Sequence, residues 1–151
     1  MKKFKGCDLL DLMPHNSSDL KSGRFGDIQV QDNDGNVFEA IEIKHDIQLT
    51  SELLIQLKEK IISSGMKTYY ILSTNEKSIT AESINKITEM IIEIKNKYGC
   101  QVILNGVAST LKYYLRLIKN PDHFVHNYVD LLDKDTDIPY NLKHKWNELN
   151  K

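Results

Sequence analysis

Hydrophobic and polar residues change their rhythm several times along this chain. Over residues 27–31 they alternate, with Ile28 and Val30 on one side and Asp27 and Gln29 on the other. A period of two predicts a strand with one apolar face. Asp32-Asn33-Asp34-Gly35 follows, a run rich in residues that tolerate tight turns. A second strand is expected over residues 37–44, and the short turn makes the pair antiparallel. After Thr50 the period lengthens: Leu53, Leu54, Leu57, Ile61 and Ile62 recur at helical spacing until Gly65.

The alternation of strand and helix then continues. TYYILS, residues 68–73, reads as a short buried strand. Thr80 is placed to cap a helix whose apolar stripe is Ile84, Ile87, Met90, Ile91, Ile94 and Tyr98, with Gly99 as its stop. QVILN, residues 101–105, is a further buried strand, so a parallel crossover is expected. Leu111, Tyr114, Leu115 and Ile118 begin a helical region, which Asn120-Pro121 interrupts. Phe124, Val125, Tyr128, Leu131 and Leu132 form the next stripe. Leu142, Trp146 and Leu149 suggest a last helix after the polar segment 133–139. At the other end, DLLDLM (8–13) predicts one or two helical turns before Pro14, and residues 15–26 a loop. The pattern is that of an α/β protein forming a single domain over residues 1–151. Residues 8–105 are its core, and 106–151 a helical C-terminal part.

Composition narrows the class only a little. With 151 residues, 40% hydrophobic and 27% charged, the chain can bury a core unaided. No apolar run approaches the ~20 residues of a membrane span, and the basic start lacks the apolar segment of a signal peptide. A cytoplasmic location is expected. The two cysteines, Cys7 and Cys100, suit free thiols in a reducing compartment. A net charge of −1 argues against nonspecific coating of nucleic acid, though not against an enzyme with a local cationic groove. There is no Gly-rich phosphate loop, no Cys-x-x-Cys and no Gly-x-Ser-x-Gly, which removes P-loop, zinc-ribbon and α/β-hydrolase chemistry.

The chemistry gathers on the predicted hairpin. Alternation sends Glu42 and Lys44 to one face, ~6.6 Å apart along the strand. Asp27 stands on the neighbouring strand, ~4.8 Å away. Two carboxylates so placed can share a divalent ion that wants oxygen ligands, and the carbonyl of Ile43 is a third possible donor. Ile41 and Ile43 are expected to point the other way, into the core. Lys44 would stand beside the metal, where it can orient or deprotonate a water. The competing reading is a solvated hairpin face with a cross-strand ion pair, worth only ~0.2–1 kcal/mol.

Asp27 followed across a hairpin by Glu42-x-Lys44 resembles the PD-(D/E)xK nuclease superfamily. Within it, the narrower similarity to type II restriction endonucleases covers residues 15–119, and the superfamily's literal Pro-Asp is Gly26-Asp27 here. The superfamily resemblance implies a restriction-endonuclease-like mixed sheet flanked by helices, in the order helix, three strands, helix, strand. The first helix would have to come from residues 8–13 or earlier, with Asp8 and Asp11 the only acids there. GDIQV, FEAIEIKH and the later LKYYLRLI are similar to type II restriction endonucleases. Those enzymes are usually longer, so the chain can be a catalytic portion. The resemblance implies Mg²⁺-dependent hydrolysis of DNA, with Asp27 and Glu42 as metal ligands and Lys44 as the catalytic lysine. A homodimer would match the two-fold symmetry of a duplex. A nonenzymatic nucleic-acid-binding domain, or an RNA- or structure-specific nuclease, remains the alternative.

Other residues are weighed against plainer roles. Lys112, Arg116 and Lys119 fall at helical spacing near Tyr113 and could contact phosphates, or form an ordinary solvated face. Ser17, Ser18 and Asp19 suit turn formation better than substrate contact. His45 is expected at the surface or the core edge, and Gln56 reads as an exposed helical glutamine rather than a functional one. His123 and His126 have zinc spacing without a third ligand nearby. Trp146 reads as an anchor for the last helix.

Overall fold

A computed structural model describes residues 3–4, 6–11, 23–75, 79 and 81–149. Among them the chain is α/β, with a mixed sheet of six strands ordered β1-β2-β3-β4-β5-β6. The strands are β1 (Lys3–Phe4), β2 (Cys7–Leu9), β3 (Ile28–Gln31), β4 (Val37–Lys44), β5 (Thr68–Ser73) and β6 (Gln101–Gly106). The first four pair antiparallel, and β4, β5 and β6 run parallel. Helices α1 (Ser51–Ser64) and α2 (Ala81–Tyr98) make the two parallel connections. Helices α3 (Val107–Leu117), α4 (Pro121–Lys134) and α5 (Tyr140–Leu149) follow. Among the described residues, no helix is long and apolar enough to cross a membrane.

Local chemistry explains the boundaries. Thr50 caps α1 by accepting the Leu53 N–H, and Gly65 ends it at a φ of 66°. Asn120 caps α4, with Pro121 in its first turn. In the β3–β4 turn the Asp32 carboxylate accepts the backbone N–H groups of Asp34 and Asn36 and the Asn36 side-chain amide. The acidic turn therefore folds on itself, and its carboxylate is spent on holding the register. Thr80 and residues 12–20, which include Ser17, Ser18 and Asp19, lie outside the described residues.

Two expectations change. Residues 7–9 are not helical but form β2, with Asp8 opposite Gln31 and Leu9 opposite Val30. Leu10 adds an N–H bond to the Gln29 carbonyl. The run of leucines fits a helix by spacing, but the open edge of β3 offers backbone partners that a two-turn helix lacks. The buried face of β4 is also the opposite of the one expected. The main core joins Ala40, Tyr69, Ile71 and Val102 from one sheet face to Leu54 and Ile61 of α1 and Ile94 of α2. Glu42 and Lys44 share this helix-covered face. Ile41 is half-buried on the other face, and Ile43 is 41% exposed there.

The chain divides into two compact units, 1–111 and 112–151. The first turns of α3 follow β6 directly and belong with the sheet. Within the second unit, Trp146 meets Tyr128 edge-on, with ring centroids 5.0 Å apart, and so anchors α5 to α4. Cys7 and Cys100 are buried free thiols, and burial pushes the Cys100 thiol up to about 11.

The Asp32 turn gives a pH-dependent prediction. Its hydrogen bonds, led by the Asn36 N–H, hold the carboxyl below its ordinary value of 3.8. A lowered folded value means stabilisation that is complete above the unfolded value and is lost as pH falls through the folded one. Asp32→Ala is therefore expected to lower the melting temperature at neutral pH. The gap from wild type should close on acidification below pH 3.8. An equal gap at neutral and acid pH, measured by thermal melts, would contradict this account.

Candidate active site

The site begins where β3 begins. Ile28 lies opposite Ile41, so Asp27 falls opposite Glu42, one step beyond the last ladder pair. With no strand carbonyl to meet it there, the Ile43 N–H donates instead to Asp27 Oδ2, at 2.6 Å. A charged acceptor makes this bond short and strong. Asp27 is exposed, and among the described residues its Oδ1 carries no protein partner. A strand residue directs its N–H and C=O to the same side. The Ile43 carbonyl thus faces the same flank, past the end of the ladder.

Gly26 allows this close approach. It is buried, and a Cβ there would stand 2.7 Å from the Ile41 carbonyl oxygen and 3.2 Å from the Ile41 nitrogen. No side chain fits without moving β4. Glycine rather than proline before Asp27 is thus a packing requirement of this chain.

Glu42 sits deeper. It is 6% exposed, and both of its oxygens are engaged. Lys44 Nζ lies 2.6 Å from Oε1, and Lys60 Nζ lies 3.2 Å from Oε2. The Tyr69 hydroxyl is 3.4 Å from Oε2 but 3.1 Å from the Phe25 carbonyl. A hydroxyl has one proton to give, so the closer Phe25 carbonyl is the better acceptor. Burying an ion costs several kcal/mol even after relaxation, which is why this carboxylate is held by two ammonium groups. Lys44 and Lys60 are themselves only partly exposed, at 25% and 20% of their side chains. The charges of Asp27, Glu42, Lys44 and Lys60 cancel.

Lys60 is the residue that sequence reasoning missed. It reaches Glu42 from α1, across the covered face. Its signal was present: Leu53, Leu57 and Lys60 follow one another at helical spacing, so the lysine stands in line with core leucines.

The donor set suits Mg²⁺. Asp27, Glu42 and the Ile43 carbonyl are hard oxygen donors at the same end of two paired strands. Among the described residues no group of three or more His, Cys, Asp or Glu side chains gathers to hold a metal. Two carboxylates and a carbonyl nevertheless fit an ion that keeps several of its own waters. Ligation by Glu42 requires one ammonium to release an oxygen. Asp8 supplies no further acid to this cluster, because its partner Gln31 lies at the opposite end of β3 from Asp27.

The remaining candidates fall as follows. His45 is exposed, with Nδ1 3.2 Å from the Thr74 hydroxyl, which also accepts the Asp46 N–H. These contacts tie the end of β4 to the end of β5. Gln56 is exposed on α1. His123 and His126 are exposed on α4, where His126 contacts the Asp122 carbonyl. In the second unit, Lys112 and Arg116 are exposed one turn apart on α3. Lys119 is exposed beyond the end of that helix, so the expected continuous stripe is broken at Leu117.

No family model matches the chain, and no curated protein matches it. The chemistry rests on the geometry alone.

Gly26→Ala tests that geometry. The added methyl would press on the Ile41 carbonyl and is expected to cost about 1–3 kcal/mol, the usual range for overpacking. It should also loosen the Asp27–Ile43 bond. Chemical denaturation measures the first effect and amide exchange at Ile43 the second. An unchanged midpoint would show that the close approach is not needed.

Proposed function

We propose that this protein is a Mg²⁺-dependent, restriction-type endonuclease that hydrolyses DNA phosphodiester bonds at Asp27, Glu42 and Lys44. The observation that carries the reading is the placement of Asp27 opposite Glu42, with Asp27 bound to the Ile43 peptide and Glu42 bound to Lys44. A second feature supports it. The sequence β2, β3, β4, α1, β5 is three strands, a helix and a strand, as the resemblance to PD-(D/E)xK nucleases implies beyond the first helix.

Uncatalysed phosphodiester hydrolysis is so slow that an enzyme must remove ~20 kcal/mol from the barrier. Bound Mg²⁺ would polarise the phosphate and acidify a water. The chain's own groups do the rest. Asp27 and Glu42 would hold the ion, with the Ile43 carbonyl as a third protein donor. Lys44, two residues beyond Glu42 on the same face of the strand, would orient the attacking water as an ammonium donor. It also offsets charge on the phosphate as that charge grows. Lys112, Arg116 and Lys119 would contact backbone phosphates, with Tyr113 available to stack on a base. DNA is the partner, and a homodimer would let both strands be cut about a dyad. Buried free thiols at Cys7 and Cys100 agree with work in the cytoplasm.

One observation favours a second reading. Glu42 already has both oxygens paired, which also suits an inert brace in a nonenzymatic nucleic-acid-binding domain. A plasmid assay separates the two. Wild type with Mg²⁺ is expected to nick or linearise DNA, EDTA to stop it, and Lys44→Ala to slow it about 10²-fold or more. Retention of DNA on a gel with no cutting by wild type would establish the binder instead. Cleavage of RNA alone would redirect the substrate, and a strictly monomeric active form would remove the dimer.

A further inference from the structure

Both oxygens of Glu42 are taken, and they are taken by different elements. Lys44 comes from the same strand, two residues on, and holds Oε1 at 2.6 Å. Lys60 comes from the facing helix and holds Oε2 at the looser distance of 3.2 Å. The Tyr69 hydroxyl, 3.4 Å from Oε2, is closer to the Phe25 carbonyl and so contributes little to that oxygen. Of the two contacts, the one to Lys60 is the longer and the easier to exchange.

We infer that Lys60 is a resident counter-ion: it neutralises buried Glu42 while no metal is bound and surrenders Oε2 to a divalent cation. The inference rests on the metal-centre reading above and adds a residue that the Asp, Glu-x-Lys pattern does not contain. The argument is one of charge. Lys44 and Lys60 bring two positive charges to the one buried carboxylate of Glu42. A divalent ion added to the intact cluster would face two fixed ammonium groups. Lys60 stands on a long flexible stem that is one-fifth exposed, so its head can leave Oε2 while its methylenes stay packed. Lys44 gains nothing by moving, since its place beside the ion is where its chemistry is needed.

This arrangement sets the direction of a substitution. A cation that shares one carboxylate with a metal sits ~5 Å from it, given metal–oxygen bonds near ~2.1 Å. A unit positive charge at that distance opposes a divalent ion by about tenfold in affinity even under aqueous screening. Lys60→Gln should therefore bind Mn²⁺ about tenfold more tightly than wild type. A lysine that merely braces Glu42 would give the opposite result, because a loosened ligand binds metal less well.

The experiment is a Mn²⁺ titration followed by electron paramagnetic resonance, without DNA, on wild type, Lys60→Gln, Lys60→Arg and Glu42→Gln. Thermal melts are run with and without metal. The expected result is tighter binding by Lys60→Gln, wild-type binding by Lys60→Arg, and loss of binding by Glu42→Gln. Metal-free Lys60→Gln should melt below wild type, and saturating Mn²⁺ should close part of that gap, since a ligand stabilises the state it binds. Equal or weaker binding by Lys60→Gln, with wild type still binding through Glu42, overturns the counter-ion role and leaves the metal centre standing. Wild-type binding that Glu42→Gln does not reduce, or no binding at all, overturns both. If Lys60→Gln does not fold, Lys60→Met, which keeps the stem without the charge, takes its place under the same criteria.

Discussion

The structure turns on one buried carboxylate. Glu42 lies on the face of β4 that α1 and α2 cover, with Ala40 fully buried beside it on the same face. A charge in that position must be neutralised or it destabilises the fold. The neighbours that neutralise it, Lys44 and Lys60, come from the strand and from the covering helix. The pair therefore links the packing of α1 on the sheet to the state of the candidate site. Whatever changes the charge at Glu42 is felt by the contact between helix and strand.

Four of the strands, β3 to β6, and the antiparallel hairpin were legible in the sequence because each rests on local signals. Alternation marked β3 and β4, the Asp-Gly turn joined them, and Thr50 and Gly65 bounded α1. The buried side of β4 was misread for a physical reason. Ile41 and Ile43 outweigh Ala40 in hydrophobicity, so the pattern pointed inward through the isoleucines. Small Ala40 is instead what allows helix and sheet to approach, and long-range packing by Tyr69, Ile71 and Val102 decides the face. Residues 7–9 were misread because a leucine-rich run fits either period, and only the free edge of β3 selects the strand.

The site was legible in its strand-borne part and opaque in its helical part. Asp27, Glu42 and Lys44 are tied by alternation and by a two-stranded register, both of which a sequence displays. Lys60 lies sixteen residues beyond Lys44 and depends on how α1 lies over the sheet. Its placement among core leucines was a clue, yet lysines often bury their stems at the edge of such stripes without any partner. Gly26 was equally silent. Its role comes from the nearness of the Ile41 carbonyl, which no local pattern reports.

The ending of β3 is what leaves this cluster open along the flank of β4. If β3 continued through residues 26 and 27, its backbone would occupy the Ile43 N–H and C=O, and the flank of β4 would be closed. Ending at Ile28 leaves that peptide to the Asp27 side chain. One carboxylate oxygen is then fixed by the N–H, while the other and the neighbouring carbonyl are turned to the open side. A structural salt bridge gains nothing from an exposed acid pinned in this way, since Glu42 is already neutralised without it. A metal centre would gain, because oxygen donors held before an ion arrives lose less freedom when it binds. The glycine that permits this ending sits immediately before the acid that uses it, so backbone packing and candidate chemistry are encoded in two adjacent residues.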